Sequence, residues 1–391
     1  MRRKPHPTPT LTSVLPSFTG NVVDEFVQKG GEFSYKARTA LYDVFSRIDK
    51  SIFGQRVLIP AFHCPTVVQP ILKAGFEVEY YRIKKDLQID FAELADKLNE
   101  NVAAVVIINF FGFEQPLQAL PTLCEANNTL LIEDCSHSVA AISPVRLSGG
   151  RGDISIYSFW KMLPSVQGGG WVARVPATLQ KTEKKKPVQP LIQSLRLGKQ
   201  IAEHIFDNML LGLRRILGHY HYQDEVRVDF DAPVKTSQEV TFYPVDKLHY
   251  DFEIPWLSKY MIKNARFNSQ VAGILKNYQD LSDDFSKVEA FHLPYADLEL
   301  NVVPWAVPVI LENRNQYDYK LLANDVSFFT FGEELHASLF DGKSASQAAV
   351  DDARYLSGSM ICFSIHQNLN SIDIHHTKKV VNTLFSQKSS L

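Results

Sequence analysis

The chain has 391 residues, 45% of them hydrophobic, which is enough to bury a large core and long enough for two or three structural units. Its formal net charge of -2 supplies no basic field to draw in a nucleic acid or an anionic membrane, so neither is expected as a partner. Four cysteines, Cys64, Cys124, Cys135 and Cys362, stand without a Cys-x-x-Cys pair; this favours reduced thiols in a cytoplasmic protein, and no metal site is expected.

The N-terminal text MRRKPHPTPTLTSVLP is basic but has no apolar stretch of signal-peptide length, and no later segment reaches transmembrane length. The protein is therefore read as soluble. Residues 1–30, which begin rich in Pro and Thr, are expected to form an arm on the surface or across a partner subunit. From Tyr35 the text YKARTALYDVFSRI places Ala40, Leu41, Val44, Phe45 and Ile48 at helical spacing. The spacing predicts a helix beginning near Thr39, whose hydroxyl can cap it. Its free amides at Arg38, Thr39 and Ala40 and its positive dipole end suit an anion, although a capped core helix has the same pattern.

Residues 56–60 read as a short buried strand, 67–74 as a helix ended by Gly75, and 76–83 as a strand. The alternation continues through strands at 103–111 and 129–132, with a helix at 117–126 between them. It predicts a mainly parallel sheet covered on both faces, with ligands outside the carboxyl ends of the strands. Phe62, His63 and Cys64 follow one such strand end; a histidine in a strand-end loop also serves simply as a satisfied polar group.

The segment 132–172 organises the rest. Asp134 closes one apolar run, a strand at 154–159 carries Ser158 near its end, Lys161 follows, and Gly168, Gly169 and Gly170 come next. Taken singly, an Asp at a strand end is a loop or cap residue, a Lys beside aromatics a solvated side chain, and a glycine triplet a tight turn. Together they are what holding a pyridine cofactor requires: a carboxylate for the ring nitrogen, an amine for the aldehyde, and donors for the phosphate.

Beyond residue 176 the signal thins. KTEKKKP is a charged linker, and 191–220 carries an amphipathic helical pattern that suits packing against the main domain or a second subunit, or a membrane surface. Residues 259–278 read as one long helix, 306–311 as a strand, and 371–385 as a terminal helix.

These motifs resemble the DegT/DnrJ/EryC1/StrS family of fold-type I aminotransferases, which transfer amino groups to keto-sugars, usually on nucleotide carriers. The family pattern EDxAQ/H meets Glu133, Asp134, Cys135, Ser136 and His137; its SF strand end meets Ser158 and Phe159; its GEGG turn meets Gln167, Gly168 and Gly169 at the family's distance from Lys161. The phosphate turn SGTxAL falls on Ala37, Arg38, Thr39, Ala40 and Leu41. Ser158 stands closer to Lys161 than in the best-known members, Arg38 replaces a small residue, and Gln167 replaces a Glu, which marks a divergent branch.

The resemblance implies a mainly parallel seven-stranded α/β large domain over 31–245, with a helical insertion at about 177–245, and a small α+β C-terminal domain over 246–391. It implies pyridoxal 5'-phosphate as cofactor. Lys161 is then the Schiff-base lysine and general base, Asp134 the partner of the ring nitrogen, and His137 the neighbour of the phenolic oxygen. Arg38, Thr39, Ala40 and Ser158 become phosphate ligands. The family's stacking aromatic aligns with Cys64, which passes that role to His63 or Phe62. His366, in ICFSIHQNL, aligns with a histidine on the substrate side, and residues 335–339 with a substrate-side loop. A homodimer with active sites at its interface, glutamate or glutamine as amino donor, and a nucleotide-linked keto-sugar as acceptor complete the expectation. Other chemistry on the same cofactor, such as sugar dehydration or elimination, and cofactor binding without turnover remain as alternatives; the family's dehydratases lack the lysine.

Overall fold

Every residue of 102–108 and 130–135 is buried, so these runs form strands covered on both faces, the first apolar along its whole length and the second apolar up to Glu133 and Asp134 near its carboxyl end. The computed structural model describes residues 6–7, 22–174, 179–180, 238–240, 252–298 and 301–386, leaving aside 118, 143–144 and 166 and adding scattered positions between 195 and 206. Within it seven strands, β1 (Glu32–Ser34), β2 (Arg56–Pro60), β3 (Glu77–Tyr81), β4 (Val102–Ile108), β5 (Leu130–Cys135), β6 (Ile154–Tyr157) and β7 (Gly169–Ala173), pair in the order β1-β7-β6-β5-β4-β2-β3. The pairs from β6 through β5, β4 and β2 to β3 are parallel, while β7 runs antiparallel to both β6 and β1.

Alternation along the strands divides the core. Val105, Ile107 and Leu131 face one apolar cluster, and Ala104, Val106, Leu130 and Ile132 face the other. The helices that cover the sheet include α1 (Val22–Gln28), α2 (Ala37–Arg47), α3 (Pro65–Lys73), α4 (Phe91–Lys97) and α5 (Leu120–Ala126). α2 packs on α3 and β7, so its first turn lies at the edge of the site described below. A one-turn helix, α6 (Phe159–Met162), follows β6 directly.

Further on come α7 (Trp256–Lys263), α8 (Phe267–Phe285), β8 (Ala306–Ile310), α9 (Asn315–Ala323), β9 (Phe328–Phe329), β10 (Glu334–His336), α10 (Gln347–Ser359), β11 (Met360–Ser364) and α11 (Ser371–Ser386). β8, β11 and β9 form a small antiparallel sheet in that order, against the same core cluster that carries Val105 and Ile107. The seven-stranded sheet and the smaller sheet are those the sequence predicts.

Two local expectations differ. Residues 22–28 of the supposed arm form α1, because Val22, Val23 and Phe26 are apolar on one face and pack into the core, Phe26 against Tyr157 and Phe159. The single long helix expected over 259–278 is two. α7 stops at Asn264, whose side-chain amide donates to the carbonyl of Tyr260 at 2.9 Å, and α8 starts after Arg266. The charged linker and most of the amphipathic pattern at 191–220 lie outside the described residues. Among the described residues no helix is long and apolar enough to cross a membrane.

Candidate functional site

A cavity with about 600 Å³ of empty space opens at the carboxyl ends of β4, β5 and β6, between them and the first turn of α2. Each wall has a local cause. α2 begins at Ala37, two residues before the position expected, because Thr39 acts as the third residue of the helix: its hydroxyl accepts from the Lys36 amide at 2.8 Å and donates to the Lys36 carbonyl at 2.6 Å. Thr39 is thereby occupied, and neither it nor the buried Ala40 lines the cavity; Lys36, Ala37 and Arg38 do. Gly169 on β7 makes this turn possible. A Cβ there would overlap the carbonyl carbon of Lys36 and the amide nitrogen of Ala37, so only glycine lets the strand pass so close behind the helix start.

At the end of β5, Asp134 lies level with Ile108 of β4 and Ile156 of β6, and its carboxylate reaches the cavity. It accepts one hydrogen bond, from the Ser136 amide at 2.9 Å. Burial pushes its carboxyl above the usual carboxylate range, opposed by the bonds from Ser136 and by the charge of Lys161. The preceding Glu133 points the other way and is fully matched: it accepts from the amides of Arg151 and Gly152 at 2.6 and 2.8 Å and pairs with the Arg151 guanidinium at 2.9 Å. That pair ties the end of β5 to the turn before β6.

Lys161 sits on α6, which Ser158 starts, and both residues line the cavity. Burial lowers the Lys161 ammonium below its ordinary value and Arg38 adds to this, whereas Cys64 and Asp134 oppose it. The result is an amine more available as a base or nucleophile at neutral pH than a solvated lysine. Its Nζ lies 4.7 Å from the ring centroid of Trp305. His137 also lines the cavity and stacks between Trp305, at 4.2 Å, and Phe111, at 5.8 Å. Its Nδ1 accepts the Phe111 amide at 3.4 Å, which leaves the proton on Nε2; burial and the Lys161 charge hold the imidazole neutral. Phe111 itself takes a left-handed conformation, φ 57°, and its carbonyl accepts from the Trp305 amide at 2.7 Å.

Of the ten residues singled out from the sequence, Lys161, Asp134, His137, Ser158 and Arg38 meet in this cavity. Thr39 and Ala40, in the same turn, are buried and are not among the lining residues. Phe62 and His63 do not reach it. Phe62 packs against Phe110 and Phe331, and His63 is locked into the core, stacked on Tyr80 with Nδ1 bonded to the Ala61 carbonyl at 2.8 Å and Nε2 accepting the His336 amide at 3.3 Å. Cys64, at the aligned position, is the residue of that loop that lines the cavity. His366 is buried, with Nδ1 accepting the Asn368 amide at 3.3 Å, and is not among the lining residues. Residues 335–339 form β10 and a short turn, where Leu335 and Leu339 are core and His336 bonds Gln69 at 2.7 Å, so this stretch secures the sheet.

Sequence reasoning missed Trp160, Trp305 and His6. Trp160 lines the cavity, and His6 stacks on Trp305 at 5.3 Å and 10° and meets Trp160 edge-on at 5.1 Å. Only Trp160, beside Lys161, was within reach of a local pattern. Among the described residues no group of three His, Cys, Asp or Glu side chains is placed to hold a metal ion.

Residues 45–184 match the DegT/DnrJ/EryC1/StrS aminotransferase family. GDP-perosamine synthase of Vibrio cholerae is 29% identical over 119 residues, which is 30% of this chain and 32% of that protein. A UDP-4-amino-4,6-dideoxy-N-acetyl-beta-L-altrosamine transaminase of Campylobacter jejuni is 33% identical over 107 residues, 26% of this chain and 28% of that one. The chain thus matches about a third of the length of these curated relatives. Whole-chain likeness is structural. The aminotransferase TlmJ from Streptoalloteichus hindustanus superposes with a TM-score of 0.67 at 15% identity, covering 100% of both chains. The putative sugar aminotransferase Spr1654 from Streptococcus pneumoniae, in its PLP-form, gives 0.65 at 12% identity over 99% of both. The chain thus shares its fold end to end with these solved structures, and its segment bearing Asp134 and Lys161 is similar in sequence to the DegT/DnrJ/EryC1/StrS aminotransferase family.

Proposed function

We propose that the protein is a pyridoxal-phosphate-dependent aminotransferase that moves an amino group from an amino acid, glutamate or glutamine, to a nucleotide-linked keto-sugar. The observation that carries this reading is the meeting in one cavity of a desolvated lysine, a buried strand-end carboxylate and the first turn of an eleven-residue helix. The sugar acceptor rests on the relatives, whose names describe products and substrates of GDP- and UDP-linked sugars.

The residues present fit the cofactor. The cavity brings polar and charged groups together at strand ends, and the close pass of Gly169 leaves the start of α2 open as an anion cradle, with Arg38 beside it. Asp134, raised by burial, gains from any cationic partner, and a protonated pyridine nitrogen is one. The cofactor would be held by Lys161 through its aldehyde, by Asp134 at its ring nitrogen, and by Arg38, Ser158 and the α2 amides at its phosphate. When bound, it supplies a ring that accepts electrons from the substrate carbon.

The protein's own groups do the rest. Lys161 Nζ, whose ammonium form burial disfavours, takes a proton from one carbon and returns it to another. Asp134 maintains a negative charge against the ring nitrogen. His137 Nε2–H is a donor fixed in direction by the Phe111 amide and the Trp305 ring. Cys64, small where the family carries an aromatic, lines the cavity together with Lys161. A homodimer completing the site belongs to the same reading, and light scattering of the purified protein tests it.

Added pyridoxal phosphate is expected to give a visible absorbance band, fixed by borohydride as a mass adduct on Lys161 and absent in Lys161→Ala. Glutamate should then convert the band with formation of pyridoxamine phosphate and 2-oxoglutarate. Dehydration or elimination is the answer if a sugar substrate is consumed without 2-oxoglutarate, and binding without turnover is the answer if no amino donor changes the band.

A further inference from the structure

His6 is nearly 300 residues from Trp305 in the chain, yet the two rings stack, and Trp160 and Phe329 close the cluster around them. Lys161 lies against the same indole. Three polar atoms around this point are buried and have no hydrogen-bond partner: Nδ1 of His6, Nε1 of Trp305 and Oε1 of Gln367. Gln367 is anchored here because its amide nitrogen donates to the carbonyl of Met162, next to Lys161, at 3.0 Å. Other buried polar atoms without partners are scattered through the described residues, but these three belong to residues that touch one another or the segment of Lys161, and a ligand that supplied the missing bonds would satisfy them together.

We propose that His6, Trp305 and Gln367 form the subsite that recognises the sugar ring of the acceptor. The proposal rests on the aminotransferase reading and deepens it. An indole N–H donates, an amide oxygen accepts, and a neutral imidazole does either, so the trio matches adjacent hydroxyl groups, each of which both donates and accepts. The aromatic faces of Trp160 and Phe329 suit the apolar C–H face of a pyranose. The amino acid donor, with its carboxylate, would call for cations that this trio does not contain. Burial and the charge of Lys161 lower the His6 imidazole to about 3, which keeps it uncharged at neutral pH.

The test is binding, independent of cofactor and turnover. Tryptophan emission of the protein is titrated with UDP-N-acetylglucosamine and GDP-mannose, and with UDP and GDP as sugar-free controls. At least one sugar nucleotide should bind about tenfold or more tightly than its control; His6→Ala and Trp305→Phe should each erase most of that difference, and His6→Asn should restore part of it. The proposal is overturned if neither sugar adds affinity, if both variants keep the wild-type difference, or if His6→Ala binds more tightly, which would make His6 a plug. A protein that never develops the cofactor band while still showing the sugar-dependent difference would refute the aminotransferase reading and leave the subsite standing.

Discussion

The two flanks of Lys161 differ in how their polar atoms are met. On the β5 side, Glu133, Asp134 and His137 each have a partner supplied by the chain, from Arg151, Gly152, Ser136 and Phe111. On the side of the small antiparallel sheet, His6 Nδ1, Trp305 Nε1 and Gln367 Oε1 have none. The first flank is built in advance by neighbouring strand ends and tight turns. The second is assembled from residues 6, 305 and 367 and is left incomplete. Under the proposed function, preorganisation falls where the cofactor would be held, and open valence falls where substrates would come and go.

This contrast can be broken, most severely at the lysine between the flanks. Lys161→Ala should cut amino transfer by about a thousandfold or more with little change in melting temperature, since removing a partly desolvated amine relieves a cost. Loss of folding instead would mean that the lysine is structural. On the completed flank, Glu133→Gln turns an amide nitrogen toward the Arg151 guanidinium and should destabilise the fold by about 3 kcal/mol, read by urea denaturation. An unchanged midpoint would show that the flank is not held by that pair. Gly169→Ala places a methyl group into the backbone of Lys36 and Ala37 and should cost about 2 kcal/mol while weakening cofactor uptake. Uptake at wild-type strength would separate the α2 turn from the phosphate.

The smallest expected effect sharpens the comparison, because His63 was expected beside the cofactor and lies in the core. His63→Gln should lose about 1 kcal/mol at neutral pH and leave the cofactor band in place. Burial lowers the His63 imidazole to about 4 in the folded protein, against 6.5 when exposed. Below pH 6.5 the unfolded chain binds the proton and the folded chain does not, so this residue's contribution is complete above pH 6.5 and is lost as the pH falls toward 4. The acid limb of the wild-type stability curve should flatten in His63→Gln over that window; parallel curves would place the titration elsewhere.

The same contrast explains what the sequence disclosed. The sheet was legible because its central strands carry apolar runs, and Asp134, His137, Ser158 and Lys161 were legible because strand ends and turns bring them together from within thirty residues. The loop at Phe62 and His63 was not. All three of its residues are plausible neighbours of a ring, and which one turns outward is settled by Tyr80 and His336, which lie on β3 and β10. Thr39 had the composition of a cap, but the reciprocal bonding to Lys36 that displaced the helix start is a property of backbone geometry. His6 sat in a Pro- and Thr-rich stretch with no periodicity, so nothing in its neighbourhood could announce contact with Trp305.

The peptide of Phe111 spans the gap between the two flanks. Its nitrogen grips His137 and its oxygen grips the amide of Trp305, while its own backbone is held in a region that most side chains avoid. One residue therefore braces both sides: its N–H and its C=O, on successive peptide planes joined at its Cα, tie the imidazole of His137 and the backbone of Trp305 to the same point of the chain. Phe111→Gly would remove the conformational penalty and the Phe111 stack on His137 together, while keeping the two backbone bonds and the direct stack of His137 on Trp305.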